Sequence, residues 1–231
     1  MSIPSIVFVH GASHGSWCWE LLRPHLSAPF ASVDLPGRGR FARDPAEVDL
    51  GDWVDHVCNT ITRPDLRDVV LVGHSLAGIT LPRVVDRVAD RIRHVVYVAA
   101  AVPAEGQSIE EMLLGGNPLP EVVPPPTEAE ARSMFCNDMD DRQTRFVVDN
   151  LVAEAGRPFS EPMDLAGLRH PVPRTFVKLL RDRSPLGPAR QDEVIDRLAP
   201  VDVVELDAGH DVMISKPHAL APTLNALTRA P

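Results

Sequence analysis

The chain alternates between short apolar runs and segments in which apolar residues recur at helical spacing. Six of the apolar runs are short, rich in β-branched residues and typical of buried strands. Segments with helical period separate them, most clearly at 76–91 and 191–198. This alternation is typical of a parallel sheet with crossover helices, so we predict an α/β fold. The predicted strands are 6–9, 30–35, 68–73, 94–100, 174–180 and 201–206.

The interval 103–173 breaks this alternation, because it contains helix signals and no strand-like run. Two S/T-x-x-E patterns match the capping box, in which the first and fourth side chains each accept from the other's backbone amide. A third stretch has apolar residues at helical spacing and stops at a glycine. The predicted helix starts are Ser108 with Glu111 and Thr127 with Glu130, and the third helix is predicted at about 140–155, before Gly156.

These patterns predict one domain with a helical insertion. No shift in composition marks a second independent unit, so residues 1–102 and 174–231 are expected to form a single α/β core. An insertion that follows a sheet strand is expected over the carboxyl ends of the strands, where open α/β sheets bind ligands. We therefore predict that residues 103–173 form a lid over the binding site.

The composition narrows the classes of function. The 231 residues are 44% hydrophobic, which is enough for one buried core. With 23 basic and 32 acidic residues the formal charge is −9, so nucleic acid is not an expected partner. No apolar stretch is long enough to span a membrane. Homodimer formation stays open. The widely spaced cysteines argue against a disulfide framework and favour a cytoplasmic location; they are Cys18, Cys58 and Cys136.

The sharpest motif is VVLVGHSLAG, in which a predicted strand runs into a turn and then into a predicted helix. This is the setting of a nucleophile elbow, where a strained turn lifts a serine hydroxyl out of the sheet. The residues two positions away must be small, and Gly73 and Ala77 meet that need. Ser75 is therefore the candidate nucleophile.

A serine nucleophile needs a general base, and the chain order typical of this motif is serine, acid, histidine. Among nine histidines, His210 and His218 follow the last predicted strand. His210 lies directly after that strand and is the candidate base. His218 falls inside the last predicted helix and is expected to be a solvated surface residue.

The acid is expected on the loop after the strand at 174–180. Asp182 lies on that loop, whereas Asp192 and Asp196 already belong to the next helical segment. A carboxylate at Asp182 would hold the imidazole tautomer and stabilise the imidazolium that forms during attack. The alternative for Asp182 is a surface ion pair with a neighbouring arginine.

The developing oxyanion needs preorganised donors. One is expected to be the amide of Leu76, next to the nucleophile. The second is expected from the loop after the first strand, FVHGASHG, at the amide of Ala12. The alternative for this loop is a plain connection between a strand and a helix.

Several motifs together resemble one family across nearly the whole chain. HGASHGSWCWELLRPHL, GHSLAG, VYVAAAVPAEGQS, FCNDMD and GHDVMISKPHAL are similar to the α/β-hydrolase branch that holds plant methyl esterases, hydroxynitrile lyases and bacterial esterase relatives. The resemblance implies an α/β-hydrolase fold with Ser75, Asp182 and His210 as a catalytic triad. It also implies that His14 lines the pocket entrance.

The lyases of this branch use a lysine after the catalytic histidine and a threonine in the first oxyanion loop. Here those positions hold Asp211 and Ala12. We expect Asp211 to place a negative charge where departing cyanide would lie, and Ala12 offers no hydroxyl. The resemblance therefore favours an esterase over a lyase.

Other classes fit the residues less well. The first turn also resembles that of a short-chain dehydrogenase, but Tyr97 is the only tyrosine and Ala101 stands where its lysine partner is needed. His10 and His14 have the spacing of metal ligands, yet Gly11 favours a loop and no carboxylate completes the set. A biosynthetic cyclase and a small-ligand receptor with an intact triad stay open.

We therefore predict a serine hydrolase, without cofactor or metal, that cleaves a small, largely apolar carboxylic ester through an acyl-enzyme. The predicted lid supplies apolar side chains that either face the pocket or pack the lid on the core. The candidates for the pocket from this segment are Met134 and Phe135, with Met112, Leu113 and Leu114 as alternatives.

Overall fold

The computed structural model describes residues 5–38 and 43–229. Residues 1–4, 39–42 and 230–231, which belong to the predicted core ranges, lie outside the described residues. A six-stranded sheet has the order β2-β1-β3-β4-β7-β8, and all its neighbouring strands are parallel. The six predicted strands are thus confirmed, with ends shifted by at most a few residues. They are β1 Ile6–Val9, β2 Phe30–Ser32, β3 Val69–His74, β4 Ile92–Val98, β7 Arg174–Leu179 and β8 Asp202–Leu206.

Both faces of the sheet are covered, because successive strand residues point to opposite sides. In β1, Val7 and Val9 belong to one buried apolar cluster, and Ile6 and Phe8 belong to the other. The first cluster includes side chains of the helices at 50–62 and 81–88, and the second includes side chains of the helix at 217–228. The α-helices outside 103–173 are α1 Leu50–Thr62, α2 Leu81–Val88, α7 Pro188–Leu198, α8 Val212–Ser215 and α9 Pro217–Thr228.

Short 3₁₀ turns connect several of these elements. They lie at Ser16–Trp19, Arg23–His25, Pro45–Glu47, Ser75–Ile79, Ala89–Arg91 and Ala166–Arg169. The helix predicted at 76–91 is therefore a 3₁₀ turn, an α-helix and a second 3₁₀ turn in succession. In the part of the chain that the structure describes, no helix is long and apolar enough to cross a membrane.

Segment 103–173 contains the two predicted capping boxes. Ser108 accepts from the amide of Glu111, and Thr127 accepts from the amide of Glu130. Each glutamate carboxylate in turn accepts from the amide of the cap residue. These two helix starts are confirmed. The helices of the segment are α3 Ile109–Leu114, α4 Glu128–Met134, α5 Asp141–Val148 and α6 Arg157–Ser160.

Two predictions for this segment are wrong. The third helix ends at Val148 instead of near Ala155, and the segment does contain strands. Its residues 122–123 and 154–155 form a two-stranded antiparallel sheet, β5 Val122–Val123 with β6 Glu154–Ala155. The physical reason is tertiary: Glu154 is extended because its backbone pairs with β5 and its carboxylate contacts the guanidinium of Arg38.

Candidate active site

The turn after β3 presents Ser75 at the carboxyl edge of the sheet. Its φ of +53° lies in the left-handed region, which non-glycine residues adopt only where the surroundings impose it. Close packing around the turn explains the small neighbours. A Cβ at Gly73 would lie 2.7 Å from the Leu81 side chain, and a Cβ at Gly78 would lie 2.2 Å from the Ala101 carbonyl oxygen. The turn therefore has the geometry of a nucleophile elbow.

The structure brings Ser75, His210 and Asp182 together from three different loops. Nε2 of His210 lies 2.9 Å from Oγ of Ser75, and its Nδ1 lies 2.8 Å from Oδ2 of Asp182. His218 lies on α9, and Asp192 and Asp196 lie on α7, all three exposed to solvent. These three alternatives for the base and the acid thus lie outside this buried cluster.

Two further residues hold the Asp182 carboxylate, and the sequence analysis missed both. The Ser184 amide donates to Oδ1 over 2.8 Å, and the Gln191 side-chain amide donates to Oδ2 over 3.0 Å. The Ser184 contact is a turn in which an aspartate accepts from the amide two residues on, so the D-x-S spacing was a usable signal. Gln191 lies on α7 and carried no signal in the sequence.

The charges of this pair favour a protonated histidine beside an ionised acid. Burial acts to lower the pKa of His210, but the adjacent Asp182 charge and hydrogen bond outweigh it, so the pKa is raised above its usual value. Burial acts to raise the pKa of Asp182, but His210 and the Ser184 contacts leave it below its usual value. The arrangement can accept a proton from Ser75 and stabilise the resulting imidazolium.

Asp211 does not lie where the sequence analysis expected it. Its side chain is fully buried, it is not among the residues that line the pocket, and its Oδ2 lies 2.9 Å from Nε2 of His14. The other ring nitrogen of His14 lies 2.6 Å from the Ala12 carbonyl oxygen. His14 thus links the Asp211 carboxylate to the backbone of the loop after β1. Because Asp211 does not line the pocket, the expected placement of its charge where departing cyanide would lie is wrong.

His74, which precedes the nucleophile, belongs to the same buried cluster. Its Nε2 donates to the His210 carbonyl oxygen over 3.0 Å. Burial, together with the charge of His210, lowers the pKa of His74 to about 3, so this ring stays neutral. His74 thereby fixes the backbone of the base without competing for its proton.

The proposed oxyanion donors lie beside the nucleophile. Leu76 follows Ser75 in the 3₁₀ turn, and Ala12 lies on the loop after β1, with both residues on the pocket wall. That loop is pressed against the elbow, since a Cβ at Gly11 would lie 2.8 Å from Cβ of Ser75. Gly11 therefore allows the approach of the Ala12 backbone to the reacting centre.

A cavity of about 650 Å³ opens over Ser75. This volume lies in the range of pockets for drug-sized ligands, about 300–1,000 Å³. The candidate pocket residues His14, Met134 and Phe135 all line it. Phe135 stacks on the His210 ring with centroids 5.6 Å apart. Segment 103–173 supplies much of the apolar wall, including Leu113, Leu114, Leu119, Val123, Pro125 and Phe159.

Three side chains of this site lie close enough together to suggest a metal site. Among the described residues, His74, His210 and Asp211 place ligand atoms within 4.8 Å of one another. Both nitrogens of His210 already bind Ser75 and Asp182, and Asp211 binds His14. These groups therefore make up a hydrogen-bond network built around the serine.

Sequence comparison assigns the family. Residues 6–223 match the model of the alpha/beta hydrolase family, so the chain belongs to that family. A carbendazim hydrolyzing esterase from a Nocardioides species is 32% identical, over 96% of this chain and 99% of the relative. A pheophorbidase from Raphanus sativus is 28% identical, over 95% and 92%.

Solved structures agree with this assignment. A methylesterase from Arabidopsis superposes with a TM-score of 0.81 at 26% identity, covering 96% of this chain and 97% of that chain. An extracellular α/β-hydrolase from a Paenibacillus species has a TM-score of 0.84 at 20% identity, which is a likeness of fold. Carboxylic ester hydrolysis is the chemistry that these relatives and the serine, histidine and aspartate arrangement support together.

Proposed function

We propose that the protein hydrolyses a largely apolar carboxylic ester through an acyl-enzyme on Ser75. The observation that carries the proposal is the continuous hydrogen-bonded chain from Ser75 through His210 to Asp182, which opens into a mainly apolar cavity. Named relatives that are esterases support the reaction class.

In the first half of the reaction, His210 Nε2 takes the proton of Ser75 as Oγ attacks the ester carbonyl. The amides of Ala12 and Leu76 stabilise the oxyanion of the tetrahedral intermediate. The intermediate collapses when His210 gives the proton to the departing alcohol oxygen, which leaves the acyl group on Ser75. Asp182 stabilises the imidazolium during both proton transfers.

In the second half, water replaces the alcohol. His210 takes a proton from this water as its oxygen attacks the acyl carbon, and the same two amides stabilise the second oxyanion. Collapse returns the proton to Ser75 Oγ and releases the carboxylic acid. The overall reaction consumes one ester and one water and yields one acid and one alcohol.

The proposed substrate is uncharged and apolar. The cavity wall of segment 103–173 is formed largely by aliphatic, proline and aromatic side chains. Two glutamates also line the cavity: the carboxylate of Glu154 is paired with Arg38, and that of Glu130 accepts from Thr127. The protein's formal charge of −9 further disfavours an anionic substrate. We propose that segment 103–173 acts as the lid that supplies this wall, and that the three free cysteines reflect a cytoplasmic location.

A substrate panel tests the proposal. Methyl and p-nitrophenyl esters of acetate, butyrate, hexanoate and phenylacetate are assayed with the wild-type protein and Ser75→Ala, with mandelonitrile cleavage alongside. We expect ester hydrolysis that depends on Ser75 and exceeds cyanide release. Faster cleavage of mandelonitrile than of every ester would establish the lyase alternative. A single turnover that leaves Ser75 stoichiometrically acylated by the substrate would establish the receptor alternative.

A further inference from the structure

Two buried charges near the site take no part in the reaction as described so far. Arg38 follows β2, Glu154 lies in β6, and their side chains are each 1% exposed. NH2 of Arg38 contacts Oε1 of Glu154, and the guanidinium lies over the Trp53 ring with 4.8 Å to its centroid. The pair therefore joins the α/β core to segment 103–173 in a place where neither charge reaches water.

Arg38 holds the peptide group that carries the Ala12 amide. NH1 of Arg38 donates to the Gly11 carbonyl oxygen over 2.7 Å. Nδ1 of His10 lies 3.0 Å from the same oxygen and 2.8 Å from NH1 of Arg38, and the Leu35 amide donates to Nε2 of His10. In a trans peptide the carbonyl oxygen and the next N–H point in opposite directions. Fixing Gly11 O on this buried side therefore aims the Ala12 N–H toward the other side.

Glu154 holds the peptide group on the other side of Ala12. Its Oε2 accepts from the Ser13 amide over 3.0 Å, and the Val152 amide donates to the Ser13 carbonyl oxygen over 3.0 Å. The carbonyl oxygen of Ala12 accepts from His14. Ser13 adopts a φ of +58°, a conformation that needs such restraint. Both peptide groups that flank the Ala12 Cα are thus held by buried side chains.

We propose that Arg38 and Glu154 are positioning residues that aim the Ala12 amide at the oxyanion, so that the oxyanion hole forms only when residues 152–155 are seated against the core. The inference rests on the proposed function. It gives a role to the Arg38 and Glu154 pair, which forms only where the core and segment 103–173 meet. The cationic donor on Gly11 O also polarises the peptide and strengthens the Ala12 N–H as a donor.

The test separates aiming from simple structural support. Arg38→Lys keeps the charge but replaces the planar fork by a single ammonium, and Glu154→Gln keeps an acceptor for Ser13 but not the charge. We expect each to lower kcat/KM for the best ester by about 10- to 100-fold with KM changed less than about threefold, since removal of an oxyanion donor acts mainly on kcat. Arg38→Met combined with Glu154→Leu removes both charges together, which spares the unpaired charge that a single change leaves.

Three readouts are compared across these variants. The melting temperature reports folding, the rate of Ser75 phosphonylation by a fluorophosphonate reports the oxyanion hole without any ester turnover, and the ratio of ester to thionoester hydrolysis reports the oxygen-specific donors. Sulfur is a weak acceptor, so a misaimed amide should lower this ratio. Thr175→Val is the matched control, because it removes a buried hydrogen bond with His94 at the opposite end of the strands.

The double variant decides the outcome. We expect the double variant to have a higher melting temperature than a single variant. Its phosphonylation rate and its ratio of ester to thionoester hydrolysis should stay below the wild-type values. If the phosphonylation rate and the ester to thionoester ratio returned to wild-type values together with the melting temperature, the proposal would be overturned, and Arg38 and Glu154 would have a structural role only. Phosphonylation of Ser75 at the wild-type rate in Arg38→Lys and Glu154→Gln would overturn it as well. A wild type that is phosphonylated but hydrolyses no ester would refute the proposed function alone.

Discussion

The site is built from two regions that differ in how the chain supplies their chemistry. At the carboxyl edge of the sheet, Ser75, Asp182 and His210 each lie within a few residues of a strand end. Segment 103–173 instead supplies apolar wall and the buried carboxylate of Glu154, which contacts Arg38. The first region fixes the reaction through short local turns. We expect the second to determine which substrates enter, and it depends on contacts between distant parts of the chain.

The comparison implies that changes at the sheet edge act on kcat and that changes in segment 103–173 act on substrate choice. A bonded network at the edge loses function as a unit when one member is removed. An apolar wall loses one contact at a time.

The largest effect is expected for the nucleophile. Ser75→Ala should fold normally and lose about 10⁴- to 10⁶-fold in kcat, because proton transfer and attack both depend on Oγ. Steady-state kinetics and labelling with a fluorophosphonate measure this. Labelling or turnover that survives the substitution would refute the assignment of the edge region.

The next effect concerns the acid. Asp182→Asn should lower kcat by about 10⁴-fold, because an amide cannot hold the required tautomer of His210. Asp192→Asn is the matched control; its carboxylate lies 57% exposed and 2.6 Å from Lys178 Nζ. The control is expected to keep nearly full activity. Similar losses in the two variants would argue against Asp182 as the orienting group.

A wall residue should have a smaller effect of another kind. Phe135→Ala removes the ring that stacks on His210 and borders the cavity. We expect KM for hexanoate esters to rise about tenfold, the worth of roughly one buried apolar side chain, with acetate esters affected less. Phe146→Ala serves as the control, because Phe146 lies in the same segment and packs against Trp17. A loss in kcat alone would contradict the division between edge and wall.

The smallest effect is a shift in the pH profile. His210 must be neutral to accept the Ser75 proton. Burial acts to lower its pKa, but the charge and hydrogen bond of Asp182 and the charge of Asp211 together outweigh burial and raise the pKa above 6.5. The acid limb of kcat/KM should therefore have its midpoint above 6.5, with activity lost as the pH falls through it. Asp182→Asn should move the midpoint down. A midpoint at or below 6.5 in the wild type would contradict this.

The edge region could be predicted from the sequence because its signals are local. Apolar β-branched runs marked all six strands, and the residues that directly follow three of them gave the serine, acid and histidine positions. Even the small residues around Ser75 were readable, since the turn crowds Gly73 against Leu81. Local backbone geometry and local composition carry the same information here.

Segment 103–173 could be predicted only in part. Its two capping boxes were readable, but α5 ends early and Glu154 pairs with partners far away in the chain. The sequence pattern also could not predict which residue the Asp211 side chain contacts, because a sequence position does not specify the neighbours of a side chain in space. Gln191 and Arg38 were missed for the same reason.

The buried pair of Arg38 and Glu154 limits how this scaffold can be recombined. Replacing one member leaves a charge without its partner, a loss of about 3–5 kcal/mol in comparable buried pairs. A chimera that grafts the helical segment of another hydrolase onto this core must therefore bring a carboxylate to the position of Glu154, or neutralise Arg38 at the same time. In any lineage that descends from this chain, the two positions are expected to change together.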